Sequence, residues 1–299
     1  INEKVGFDQA KLVAKGYQDA MNDFLAGQND PNAHSDEPGY SDTMHALLDA
    51  QSNTKNATNN SSLYAVVYSQ AVGSNDGLTA VKNNPSTSNT TNVPDSRQST
   101  VNANAYQSGY QGAVDGYKDG SASTHGTSTN KDTNQSGNQI YQNAYTQGNY
   151  AGRQQAGAND YTKGTVDDGV KKSDNNYATG VSNAADGFAD GKQIGQTTAT
   201  PTPTNNDKTY ITGFDQGVAT ATGSKQAVQS GSSDANNLSG DAKNAYYGTR
   251  DGYLAGANAG ATIASLPSDN QNVDKVSNAY TSAYQDAYND AQSKANLGA

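Results

Sequence analysis

The 299-residue chain contains no cysteine and no tryptophan. Lacking cysteine, it has no disulfide framework, no thiolate nucleophile and no Cys-ligated zinc. That absence does not argue against export, since many secreted proteins of Gram-positive bacteria avoid cysteine. Aliphatic residues are scarce as well: 10 Leu, 5 Ile, 16 Val and 4 Phe make 35 of 299. A share this small is the usual mark of disorder. The longest apolar run, Leu63 to Tyr68, has six residues, far short of the ~18 that a membrane span requires. The chain begins at Ile1 with no initiator Met and no signal peptide, which reads as the start of a processed or trimmed chain. Basic clusters are missing too. The 19 Lys and Arg are spread singly against 29 Asp and Glu, giving a net charge of −10 and excluding nucleic acid as a partner.

The 19 tyrosines and 31 glycines form a pattern that disorder does not explain. In the stretch Ala105 to Gly120, AYQSGYQGAVDGYKDG, a helical wheel places Tyr106, Tyr110, Ala113 and Tyr117 in one stripe. Ala105, Gly109, Gly112, Gly116 and Gly120 form a second stripe beside it, and Gln107, Ser108, Gln111, Asp115 and Asp119 take the opposite side. Weaker copies follow the order aromatic or aliphatic, small residue three on, aromatic four further. They are Tyr17-Ala20-Phe24, Val181-Ala184-Phe188, Tyr246-Thr249-Tyr253 and Phe214-Gly217-Ala221. Tyr280, Tyr284 and Tyr288 alternate with Ala279, Ala283, Ala287 and Ala291 in a purer copy, whereas those around Tyr64/Tyr68 and Tyr141/Tyr145 are degenerate. Later copies recur about every 32 to 38 residues, the period of a repeat array.

Asp174, Asp207, Asp241 and Asp274 precede four periodic segments at a spacing of 33 or 34 and are expected to be N-caps. All seven prolines (31, 38, 85, 94, 201, 203, 267) lie outside the periodic segments, as helices require. The spacing predicts an all-α fold, an array of about eight amphipathic helices of ~20 residues joined by Ser/Thr/Asn/Pro-rich linkers. Helices are placed near 5–27, 40–52, 61–81, 102–120, 138–157, 175–195, 208–224, 242–262 and 275–294. Residues 40–52 carry a more conventional apolar face, and Leu63 to Tyr68 also has strand character. Residues 1–100, with irregular repeats, are set apart from a more regular array over 101–299.

Each helical glycine costs about 0.8–1 kcal/mol relative to alanine, so the glycine stripe is expected to allow close backbone approach. Tyrosine rings from one helix would lie across the glycines of the next, their hydroxyls reaching water or linker carbonyls. Linkers of this length permit antiparallel neighbours, or parallel neighbours with extended returns.

No residue is assigned a catalytic, cofactor-binding or metal-ligating role. The octapeptide A-x-D-G-aromatic-x-D-G occurs at Ala113–Gly120 and at Ala184–Gly191, pairing Asp115 with Asp119 and Asp186 with Asp190. It lacks the alternating oxygen ligands of a calcium loop, and these carboxylates are expected on a solvated face. His34, His45 and His125 have no placed nucleophile or acid partner. Formal N-x-S/T sites include Asn56, Asn89, Asn134 and Asn237.

The A-Y-x-x-G-Y-x-x-A and G-Y-x-D-G strings, with Ser/Thr/Asn linkers and no cysteine, resemble Tyr/Gly/Ala repeats in secreted cell-surface proteins of lactic acid bacteria. The resemblance implies an extracellular, cell-wall-associated adhesin or matrix component. The chain therefore reads as a non-enzymatic structural or adhesive repeat protein, with self-association into an oligomer or filament, or surface and matrix glycans, as its partners. The alternative is a glucan-binding module of a larger secreted protein.

Overall fold

The computed structural model describes residues 2–122, 138–229, 235–257 and 272–297. Among them are α1 (Asn2–Leu25), α2 (Tyr40–Gln51), α3 (Ser62–Asn83), α4 (Ala103–Ala122) and α5 (Gln139–Lys163). These are followed by α6 (Asp168–Ser173), α7 (Asn175–Thr197), α8 (Lys208–Gln229), a short 3-10 helix (Ala235–Asn237), α9 (Gly240–Ala257) and α10 (Asn278–Leu297). The fold is all-α, with no strand among the described residues. The β-branched run Leu63 to Tyr68 is helical, inside α3. The short helix α6, capped by Asp167, has no counterpart in the repeat pattern. Residues 258–262 of the expected ninth helix lie outside the described residues.

Helix starts follow a simple local rule. Ser61, Asn138, Asp174, Asp207 and Ser277 each accept the backbone N–H of the tyrosine three residues on, namely Tyr64, Tyr141, Tyr177, Tyr210 and Tyr280. The cap satisfies an otherwise orphaned donor and fixes where the first ring of the helix stands. Two of the four expected aspartate caps hold, Asp174 and Asp207. Asp241 lies inside the first turn of α9 and accepts Gln216 Nε2 at 3.1 Å. Asp274 accepts N–H groups of the turn before α10, where Ser277 takes over as cap. A 33-residue spacing marks the repeat, while the local turn decides which polar residue does the capping.

Two compact units divide the chain, Ile1–Gly152 and Arg153–Ala299, with the division inside α5. The boundary between the units falls at 152/153. In the first unit, Gly73 and Gly77 of α3 face the carbonyls of Tyr106 and Tyr110, while Gly109 of α4 faces that of Gln70. Gly112 and Gly116 of α4 meet Tyr141 and Tyr145 of α5, and in return Gly148 and Gly152 meet Ala113 and Tyr117. Numbers rise together on both sides, so these neighbours run parallel. The connection after α3 runs back along α4: Gln107 donates to the Thr91 carbonyl, Asn89 to Asp115, and Lys118 to the Thr87 carbonyl.

The second unit repeats the scheme. Gly187 and Gly191 of α7 face Tyr210 and Phe214 of α8, and Gly213 and Gly217 answer against Ala184 and Phe188. Gly248 and Gly252 of α9 face Tyr280 and Tyr284 of α10. In both units the first turn of one helix meets the middle of the helix before it, so the dipole ends of parallel neighbours do not coincide.

What covers each of these glycines is the neighbour's backbone carbonyl, where the sequence pattern suggested a ring. A side-chain carbon at these positions would collide with that oxygen. The rings instead stack along their own helix, as Tyr106 does on Tyr110 (6.5 Å between centroids), Tyr141 on Tyr145 (6.1 Å) and Tyr280 on Tyr284 (6.2 Å). Gly116→Ala and Gly187→Ala are therefore expected to lower stability by about 1–3 kcal/mol, despite a helix-propensity gain of about 1 kcal/mol. Urea unfolding followed by circular dichroism measures this, and a rise in midpoint for both would refute the close approach.

Candidate functional site

Among the described residues, a tyrosine hydroxyl donating to a carboxylate on the neighbouring helix recurs in both units. In the first unit, Tyr40 reaches Asp23 (2.8 Å), Tyr64 reaches Asp49 (2.7 Å) and Tyr106 reaches Asp76 (2.8 Å). There too Tyr141 reaches Asp115 (2.9 Å) and Tyr145 reaches Asp119 (2.7 Å). In the second unit, Tyr177 pairs with Asp160 (2.7 Å), Tyr210 with Asp190 (2.6 Å), Tyr280 with Asp251 (2.8 Å) and Tyr253 with Asp290 (2.7 Å). Every one of these aspartates follows a helical Gly or Ala by three residues: Ala20, Ala46, Gly73, Gly112, Gly116, Gly157, Gly187, Gly248 or Ala287. The small residue lets the neighbour's backbone in; the carboxylate one turn along then stands within reach of that neighbour's ring.

This overturns the expectation that Asp115, Asp119 and Asp190 occupy a solvated face, and that the hydroxyls seek water. Three of the four octapeptide aspartates hold a tyrosine; Asp186 accepts none. The helical wheel misleads here because a residue at the edge of the polar face of one helix is covered by the next helix. Small-x-x-Asp within a helix was the available signal.

Burial, helped by the facing carboxylate, makes Tyr40, Tyr64, Tyr106, Tyr177, Tyr210 and Tyr280 harder to ionise. Tyr40, Tyr64 and Tyr177 are each pushed up to about 12, first by desolvation and then by Asp23, Asp49 and Asp160. Tyr117, raised to about 12, owes it to desolvation alone. At Asp174 burial works upward, but the Tyr177 N–H and the Arg153 guanidinium outweigh it and hold the carboxyl below its usual range. Arg153 is itself buried, donating to Asp174 at 2.7 Å with its guanidinium 5.5 Å from the Tyr177 ring.

The histidines do not assemble. His34 lies in a loop near Asp23 (3.4 Å), His45 is exposed on α2, and His125 is outside the described residues. Among the described residues no three His, Asp or Glu side chains converge as a metal would need. No described helix is long and apolar enough to cross a membrane. Of the formal glycosylation sites, Asn89 is half-buried with its amide nitrogen donating to Asp115 at 2.9 Å. Asn56 and Asn237 are exposed, and Asn134 lies outside the described residues.

Comparison with protein-family models, curated protein sequences and solved structures finds no match to this chain.

Two measurements check the rungs. Tyr106→Phe removes the donor to Asp76 and should cost about 1.5–3 kcal/mol, the range for a bond to a charged group. Tyr110→Phe, one turn along the same helix, takes away a hydroxyl with no acceptor among the described residues and should change stability by less than about 0.5 kcal/mol. The raised phenols also fix the sign of the pH dependence. The folded state holds its protons more tightly, so their contribution is complete below the unfolded value near 10 and is lost as pH rises toward about 12. Unfolding and the phenolate absorbance of Tyr40, Tyr64 and Tyr177 should therefore rise together over that window; these three titrating near 10 in a folded chain would contradict it.

Proposed function

We propose that this protein is a non-enzymatic, extracellular structural repeat protein that acts at or near a cell surface by presenting and associating its helical arrays. The observation that carries the reading is that one junction, a glycine-seated backbone contact with a tyrosine–aspartate rung, is used again and again. Its conserved geometry along the chain spends the chemistry-bearing side chains on holding helices together. Nine aspartates and nine tyrosines are committed to each other in this way. An acidic chain without cysteine, with Ser/Thr/Asn-rich connections, suits an extracellular setting. A junction that joins successive helices within one chain is also suited to joining copies, and self-association is the expected mode.

Sedimentation over a range of concentrations, with electron microscopy of the same samples, tests the proposal. Concentration-dependent growth into fibres or ordered layers is the expected outcome. A monomer at all concentrations that shifts on adding glucans would replace this reading with that of a carbohydrate-binding module.

A further inference from the structure

Some copies of the repeat carry a small residue where others carry a ring. The third position of the pattern carries a ring in α4 (Tyr117), α7 (Phe188) and α9 (Tyr253), but an alanine, Ala221, in α8. Tyr117 and Phe188 are 4 % and 5 % exposed, so at those junctions the ring fills core space. At the level of Ala221 there is instead a groove of about 210 Å³ between α7, α8, α9 and α10. Ala221, Ala283 and Ala287, all nearly inaccessible themselves, form its small-residue floor. Lys192, Ser224, Thr249, Tyr253, Asp286 and Asp290 supply its polar rim.

The same groove contains an acceptor that no tyrosine uses. Of the helical aspartates that follow Gly or Ala by three, two take a lysine in place of a tyrosine: Asp19 with Lys15, and Asp286 with Lys192 at 2.8 Å. Of the two, Asp286 lines this groove. The Lys192–Asp286 pair is solvent-accessible, with Asp286 at 61 % exposure, and such pairs hold together weakly. One turn along, Asp290 already receives the Tyr253 hydroxyl. Ala283-x-x-Asp286 thus repeats the small residue and carboxylate spacing of the rungs, with no tyrosine donating to the carboxylate.

We infer that this groove is a binding site for a 4-hydroxyphenyl group, its ring lying over Ala221, Ala283 and Ala287 and its hydroxyl donating to Asp286. The group would come either from a free phenol or from a tyrosine side chain of another polypeptide. The inference stands apart from self-association, because it rests on the geometry of a single chain.

The test uses the full chain with ¹³C-labelled alanine methyls, titrated with p-cresol, toluene, N-acetyl-tyrosinamide and methyl β-glucopyranoside. Saturable shifts of the Ala221, Ala283 and Ala287 methyls with p-cresol are expected, with toluene about tenfold weaker for want of the hydroxyl. Ala221→Phe, which supplies the missing ring, should abolish binding and raise the melting temperature. Asp286→Asn, an exposed change that leaves folding intact, should weaken p-cresol about tenfold and decides the matter if Ala221→Phe does not fold. Tighter binding of N-acetyl-tyrosinamide than of p-cresol identifies a polypeptide tyrosine as the source, and the reverse order a free phenol. No saturable shift, unchanged p-cresol binding by Asp286→Asn, or tighter binding of the glucoside would each overturn the inference.

Discussion

Parallel helices packed backbone to backbone are the constraint from which the other features follow. At Gly112, Gly116, Gly187 and Gly213 the neighbour's carbonyl oxygen occupies the volume a side chain would take. Such proximity brings many weak dispersion and Cα–H···O contacts into play. It compensates the glycine cost that would otherwise unwind each helix. A chain with 35 large aliphatic or phenylalanine residues in 299 cannot build a conventional interior, and here it has no need of one. Neighbouring helices are close enough that alanine, glycine and the flanks of tyrosine rings fill the space between them.

Close approach also creates the demand that the aspartates meet. A ring beside a thin interface has its hydroxyl carried past the glycine seat into partly buried surroundings, where it requires an acceptor. A carboxylate one turn beyond the seat supplies it, and a charged acceptor makes a stronger bond than a neutral one. Much of the acidic character of this chain is therefore structural. Asp251 is fully buried, receiving Tyr280 with Arg250 and Lys275 nearby.

Parallel order has its own consequence for the connections. The segment after α3 travels back along α4 before that helix can start, bonding to it through Asn89, Thr91 and Thr87. The polar, proline-containing connection after α3 is thus part of the wall of the structure. Lys118 and Gln107 serve as its anchors, which explains polar residues on helix faces that a wheel assigns to solvent.

The sequence by itself determined the helices and their buried stripes. Ala105, Tyr106, Gly109, Tyr110, Gly112, Ala113, Gly116, Tyr117 and Gly120 are all buried as the 3.6-residue period requires, and proline placement marked the connections. Period and propensity are local properties, so one strand of sequence carries them. The parallel direction, the identity of the atom seated on each glycine, and the pairing of Asp115 with Tyr141 or Asp190 with Tyr210 were decided only in three dimensions. A helical wheel ranks the faces of one helix against an average solvent. Whether an aspartate at the edge of that face meets water or a phenol depends on the direction and register of the next helix, which no single segment encodes.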